Sequence, residues 1–242
     1  KAGNVYFQST ASGPLNRVVS KIDIKGKITD LSPAGTFSSA EFTPGCNSMV
    51  LTVSDAMTPP HYTLLGSNGK VMRELGNNEN FKSRYSTLPE KKFITVNSDG
   101  NELNGYIILP PDFKQAQKYP VIMWQYSGPG SQEVLNRWSF DWQYFAAKKG
   151  FIVACVDGRG TGSRGREFET CVYRNLGYYE TVDQINAAKY MASLPYVDAD
   201  RIGICGWSYG GYETRKATSA LGNRYKAAVV IDPITDWRYY DT

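Results

Sequence analysis

The chain has 242 residues, is 41% hydrophobic and 21% charged, and carries a net charge of +4, an ordinary composition for one large globular domain or parts of two. Its lysines and arginines form no stripe able to follow a phosphate backbone, which excludes nucleic acid as a partner, and no run approaches the ~20 apolar residues of a membrane span. Cys46, Cys155, Cys171 and Cys205 make no CxxC pair, which argues against a zinc site.

Residues 1–85 are short apolar runs broken by turn signals. VYFQST, RVVSKIDI, MVLTVS and HYTLLGS have strand composition and rough alternation. IKGK and SNGK read as hairpin turns in which Gly26 and Gly69 supply a positive φ. The opening NVYFQS resembles a protease-tag scar, but it alternates as a strand does and is read as native. Gly26-Lys27 and Gly69-Lys70 lie 43 residues apart, near the length of a four-stranded propeller blade. Two blades cannot close a propeller, so these strands belong either to a larger propeller or to a small sandwich.

Residues 86–242 change rhythm. A hairpin, KKFITVNSDGNELNGYIILP, turns at Asp99-Gly100. Four continuously apolar strands follow, at 119–126, 151–157, 201–207 and 226–233, as expected for strands covered on both faces. Cys155 and Cys205 sit inside two of them as small core hydrophobes. Helical patterns lie between: 139–149, ending at a Gly150 cap, and 179–194, with Val182, Ile185, Ala188 and Ala192 on one stripe. The alternation predicts an α/β fold with a mostly parallel sheet and ligands at the carboxyl ends of its strands.

Gly206-Trp207-Ser208-Tyr209-Gly210 fits G-x-S-x-G directly after a buried strand and directly before a helix. That setting is the nucleophile elbow of α/β-hydrolases, where a serine sits on a strained turn and glycines on either side leave the chain room to fold back. The backbone N–H of Tyr209, the residue after the serine, is the expected first oxyanion donor. VDGRGTG lacks the Lys-Ser/Thr of a phosphate loop. It reads as a tight turn, with Asp157 and Arg159 structural.

GWSYGGY resembles the nucleophile motif of the dipeptidyl peptidase IV group of the prolyl oligopeptidase family. Other branches of that family usually carry a different residue after the serine. LPPDFKQAQKYPVIMWQYSGPG, VDGRGTGSRGREF and DPITDWRYYDT resemble the same group. The likeness is strong over 86–242, the first part of an α/β-hydrolase domain, and looser over 1–85, which resemble the last blades of the family's propeller. It implies a serine exopeptidase that removes Xaa-Pro or Xaa-Ala dipeptides from peptide N-termini, without metal or organic cofactor. Ser208 is then the nucleophile and Tyr126 the second oxyanion donor. Trp237 and Tyr240, with the ring of Tyr209, line a proline-sized pocket. Ile234 and Trp207 are further wall candidates. The family usually forms homodimers through surfaces largely outside this chain, and its bacterial members are commonly periplasmic or exported.

Three features depart from the family pattern. The order Ser, Asp, His requires a histidine after Ser208, yet the single histidine, His61, precedes it. His61 beside Pro59-Pro60 reads as a structural or exposed residue in a propeller-like loop. Asp232, Asp236 and Asp241 fall in the pocket segment rather than at the family's acid, and the amine-binding glutamates have no counterpart. Arg215 and Lys216 lie on the helix after the serine, which is normally buried, so they either reach a surface or mark altered sequence. Truncation accounts for the missing base. A tripeptidyl peptidase, a catalytically silent interaction protein on this fold and an esterase with the same elbow are the alternatives.

Overall fold

The computed structural model describes residues 3–220 and 225–240. They divide into two compact units, within Lys1–Thr87 plus Leu135–Ser139 and within Leu88–Val134 plus Phe140–Thr242.

The first unit is antiparallel. β1 (Val5–Ser9), β2 (Val18–Ile22) and β3 (Ile28–Asp30) make one sheet, and β4 (Phe37–Phe42), β5 (Ser48–Ser54), β6 (His61–Gly66) and β7 (Val71–Gly76) make a four-stranded meander. The hairpins turn at Gly26 and Gly69, with φ of 81° and 82°, a region that costs glycine little. The NVYFQS stretch pairs as β1 with β2, and Gln8 Nε2 donates to the Ser38 carbonyl at 2.7 Å. Val19, Met49, Leu51 and Leu65 form the core of this unit. His61 opens strand β6 rather than lying in a loop, and its Nε2 meets Glu74 on β7. A short helix, α1 (Glu79–Arg84), follows.

The second unit is built on a mixed sheet. β8 (Lys91–Ser98) and β9 (Asn101–Ile108) form the hairpin at Asp99-Gly100, both at positive φ. Then come β10 (Tyr119–Trp124), α2 (Trp142–Lys148), β11 (Ile152–Asp157), α3 (Arg166–Thr170), α4 (Tyr179–Ser193), β12 (Val197–Trp207), α5 (Tyr209–Ala220) and β13 (Ala227–Ile231). Among the described residues the strand order is β13-β12-β10-β11-β9-β8. β11, β10, β12 and β13 run parallel, while β9 is antiparallel to both β11 and β8. The antiparallel hairpin makes the sheet mixed, with its other four described strands parallel.

α4 and α5 cover the sheet face on which Val121, Met123, Ala154, Ala187, Ala188 and Met191 form the core. The buried side of α4 differs from the apolar stripe read in the sequence. Glu180, Thr181, Asp183 and Gln184 are buried with Ala187, Ala188 and Met191, whereas Val182 and Ile185 are half-exposed. Each of those side chains makes at least one hydrogen bond inside, although Gln184 Oε1 has no partner. The Asp183 carboxylate takes the Arg159 guanidinium at 2.7 Å and the Ser98 hydroxyl at 2.5 Å, and Gln184 Nε2 donates to the Val156 carbonyl at 2.9 Å. Buried polar groups persist when they are bonded in this way.

Alternation along β10 turns Ile122 and Trp124 to the other face. There, Trp124, Trp142, Phe151, Trp207 and Val229 border a nearly wholly apolar cavity of about 870 Å³. Trp207 and Val229 are 57% and 56% exposed. Apolar surface of this kind attracts other apolar groups. The 242-residue chain is therefore expected to bind anilinonaphthalene sulfonate while folded. Serine at both Trp207 and Val229 should reduce the fluorescence severalfold without a change in far-ultraviolet dichroism, and equal fluorescence would show this face to be covered.

Candidate active site

The elbow follows from steric limits on the backbone. β12 carries the chain to Trp207, and α5 starts at Tyr209, leaving one residue for the reversal. Ser208 makes it with φ of 56°, a left-handed conformation that side-chain-bearing residues adopt at a cost. Hydrogen bonds on both sides hold it. The Ser208 N–H donates to the Ile231 carbonyl at 2.9 Å, and the Tyr212 N–H donates to the Ser208 carbonyl at 3.0 Å. A Cβ on Gly206 would lie 2.4 Å from the Gly210 carbonyl oxygen, and one on Gly210 would lie 2.5 Å from that of Gln125. The two motif glycines are thus required by backbone contact.

Gln125 ties the end of β10 to this turn. Its buried Nε2 donates to the Gly210 carbonyl at 2.6 Å and to Thr214 Oγ1 at 2.9 Å. Tyr126 follows, half-buried, with its ring folded over Gly128, where a Cβ would lie 2.4 Å from Cε1. Its centroid is 6.3 Å from that of Tyr209. The Tyr209 ring stands 5.7 Å from Trp237, and Trp237 stands 5.3 Å from Tyr240. Ile234 belongs to the same apolar cluster. Tyr126, Tyr209, Ile234, Trp237 and Tyr240 therefore come together next to the Ser208 turn. Trp207 does not. It precedes the reversal and borders the cavity on the α2 side.

The loop over 157–162 uses its glycines for packing. The Gly130 N–H donates to the Gly160 carbonyl at 2.9 Å, and the Gly162 N–H to the Ser131 carbonyl at 2.8 Å. Asp157 accepts the N–H groups of Glu133 and Val134, at 3.1 and 2.8 Å. Burial pushes its carboxyl up to about 7 against the pull of those bonds. Arg159 clamps Asp183, as described above, and lies 4.5 Å over the Tyr179 ring.

Comparison with known proteins follows the same residues. The prolyl oligopeptidase family matches residues 138–242. A probable dipeptidyl-aminopeptidase B from Pyrenophora tritici-repentis is 39% identical over 98% of this chain, and that from Arthroderma benhamiae is 36% identical. The crystal structure of Porphyromonas gingivalis dipeptidyl peptidase 4 is 43% identical over 99% of the chain, with a TM-score of 0.95. A putative dipeptidyl aminopeptidase IV from Bacteroides ovatus is 29% identical, with a TM-score of 0.88. The chain is thus similar to the prolyl oligopeptidase family over residues 138–242 and to dipeptidyl aminopeptidases along nearly its whole length. It spans 28% of the length of the Pyrenophora relative and 35% of each of the two solved chains.

Within that family frame, the unusual charges on α5 find places. Arg215 is exposed, and Lys216 is half-buried with Nζ 3.4 Å from the Tyr212 hydroxyl and 5.4 Å from the centre of its ring. Arg215 faces the surface side of the helix, whereas Lys216 lies at the edge of its buried side. Asp236 caps the turn at Trp237–Tyr239 and pairs with Arg238 at 2.5 Å. Asp241 lies outside the described residues. Burial pushes the Cys205 thiol up to about 11, in keeping with a core role. Among the described residues no group of His, Cys, Asp and Glu could hold a metal ion, and no helix is long and apolar enough to cross a membrane.

Three residues next to the serine turn were not singled out from the sequence. Tyr212 joins the aromatic cluster, with its centroid 5.5 Å from Tyr209 and 5.3 Å from Trp237. Its position one helical turn after Tyr209 was a usable signal. Glu180 and Glu213 are completely buried beneath Tyr209. Burial pushes Glu213 up to about 8, with Glu180 adding repulsion, and raises Glu180 as well. Nothing in the sequence around either glutamate marks it as buried.

Proposed function

We propose that this chain is the nucleophile-bearing part of a serine exopeptidase that releases dipeptides with Pro or Ala at the second position. The observation that carries the reading is Ser208 at positive φ between a buried parallel strand and a helix, beside the aromatic and aliphatic cluster of Tyr126, Tyr209, Tyr212, Ile234, Trp237 and Tyr240. In this reading the Ser208 hydroxyl oxygen bonds to the scissile carbonyl carbon. The carbonyl oxygen becomes an oxyanion, held by the Tyr209 N–H and the Tyr126 hydroxyl. Collapse expels the leaving amine, which takes up the serine proton through a base, and water then hydrolyses the acyl-enzyme. Trp237, Tyr240, Tyr209 and Ile234 offer apolar faces to a pyrrolidine ring, as small-ligand pockets do.

The base and its acid would come from the part of the longer protein that this chain does not span. The antiparallel sheets of residues 1–85 are read as propeller blades, and residues 86–242 as the start of the hydrolase domain. Arg215 reaches solvent and Lys216 is placed against Tyr212, so neither charge gives support to a silent fold.

Fluorophosphonate labelling with intact-mass analysis tests the reading. The 27.0 kDa chain should take no adduct, because its serine lacks a base. The longer protein should take one, on Ser208, and should cleave a Gly-Pro amide. A folded longer protein with neither property would overturn the proposal. In that protein, Tyr126→Phe should lower kcat about 10²-fold with little change in KM, the usual cost of one oxyanion donor. An unchanged kcat would remove Tyr126 from the mechanism.

A further inference from the structure

α4 and α5 bury two carboxyl groups side by side, and among the described residues neither is ion-paired. Their hydrogen bonds differ in kind. Glu180 accepts twice, from the Tyr209 hydroxyl at 2.7 Å and from the Gly177 N–H at 3.1 Å. Two donors suit a carboxylate. Glu213 has one candidate donor, the Thr181 hydroxyl. Its Oε1 has no hydrogen-bond partner, and its Oε2 lies 2.9 Å from Thr181 Oγ1.

Thr181 decides the protonation state. A hydroxyl has one hydrogen to give. Thr181 Oγ1 also lies 2.7 Å from the Gly177 carbonyl oxygen, which can only accept. If Thr181 donates there, the Glu213 contact is satisfied only when Glu213 supplies the proton. The bonds then form one chain, from the Glu213 O–H to Thr181, from Thr181 to the Gly177 carbonyl, and from the Gly177 N–H to Glu180, which also holds Tyr209.

We propose that Glu213 as a neutral acid and Glu180 as a carboxylate form a one-proton pair that positions Tyr209, both its ring and the N–H that follows Ser208. This rests on the reading of Ser208 and Tyr209 given above. Both glutamates are positioning residues, since neither is placed to touch substrate. The ionisable groups around the pair are Tyr209, Tyr212 and Lys216 on α5 and Cys171 ahead of α4. Lys216 alone brings positive charge, and its ammonium group sits over Tyr212. A second negative charge next to Glu180 therefore meets repulsion and burial together, and ionising Glu213 breaks the chain that ends at Tyr209.

The test is nuclear magnetic resonance on the full 242-residue chain carrying ¹³C at the glutamate carboxyls. Loss of one signal in Glu213→Gln identifies Glu213, and through-bond assignment of the unaltered chain does so if that variant fails to fold. The Glu213 carbon should stay neutral through the ordinary carboxylate range and titrate near 8, with the Tyr209 amide resonance moving on the same curve. In Glu213→Gln, whose amide can still donate to Thr181, the Tyr209 amide should hold its position across that range. A Glu213 carbon that ionises like an exposed glutamate, or a Tyr209 amide that ignores it, would overturn the proposal. In the longer peptidase, Glu213→Gln should remove a loss of kcat at alkaline pH and leave KM nearly unchanged. Coupled titration in a protein without peptidase activity would support the pair and sink the peptidase reading. An active peptidase whose Tyr209 amide does not titrate would do the reverse.

Discussion

Alanine at position 210 is expected to destabilise the second unit by about 3 kcal/mol or more, the upper end of overpacking costs, and to abolish labelling of Ser208 in the longer protein. The added methyl would lie 2.5 Å from the Gln125 carbonyl oxygen and 3.0 Å from the Tyr126 Cα. Both are backbone atoms, and neither can rotate away. Gln125 cannot retreat either, because its N–H donates to the Cys205 carbonyl at 3.1 Å and its side chain holds the Gly210 carbonyl. Relief has to come from moving α5 away from β10, which opens the turn at Ser208. Gly203→Ala on β12, the strand before the reversal, is the control. Its Cβ would meet nothing nearer than the Ala227 carbonyl at 3.4 Å, an ordinary contact, and should cost under about 1 kcal/mol. Thermal unfolding of the two variants separates them. Equal midpoints would mean that close approach at Gly210 does not hold the turn.

That contrast explains why the elbow was legible in the sequence. A reversal within one residue leaves room only for glycine on either side, so geometry appears as residue identity at Gly206 and Gly210. The hairpin at Asp99-Gly100 was legible for the same reason, as its two residues sit at φ of 50° and 82°. Helix α4 was misread because hydropathy was its only cue. Its buried side includes Glu180, Asp183 and Gln184, and their partners Tyr209, Arg159 and Val156 lie 24 to 29 residues away in sequence. A buried charge is affordable once paired, and that pairing exists only in three dimensions. Trp207 fell outside the cluster for a local reason. It sits on the strand before the reversal, and the reversal sends Tyr209 to the opposite side.

Stability should fall as pH rises from the ordinary carboxylate range to about 8, and Glu213→Gln should remove a large share of that fall. Glu213 rises from 4.5 to about 8 on folding, mainly through burial. A raised folded value means that the native state binds more protons than the unfolded chain between those limits. The contribution is therefore complete below 4.5 and is lost as pH climbs through the folded value. At about 1.4 kcal/mol for each pH unit, the change reaches about 5 kcal/mol as an upper bound. Asp157, raised to about 7 by its own burial, acts with the same sign and should be separated with Asp157→Asn. Glutamine at 213 keeps a donor for Thr181 and cannot ionise. The variant should match the unaltered chain under acid conditions and exceed it under alkaline ones, by up to the same few kcal/mol. Denaturant midpoints across that range decide the matter. Parallel curves for the two proteins would show that Glu213 carries its charge in the folded state at no cost, which a carboxyl buried against Glu180 cannot do.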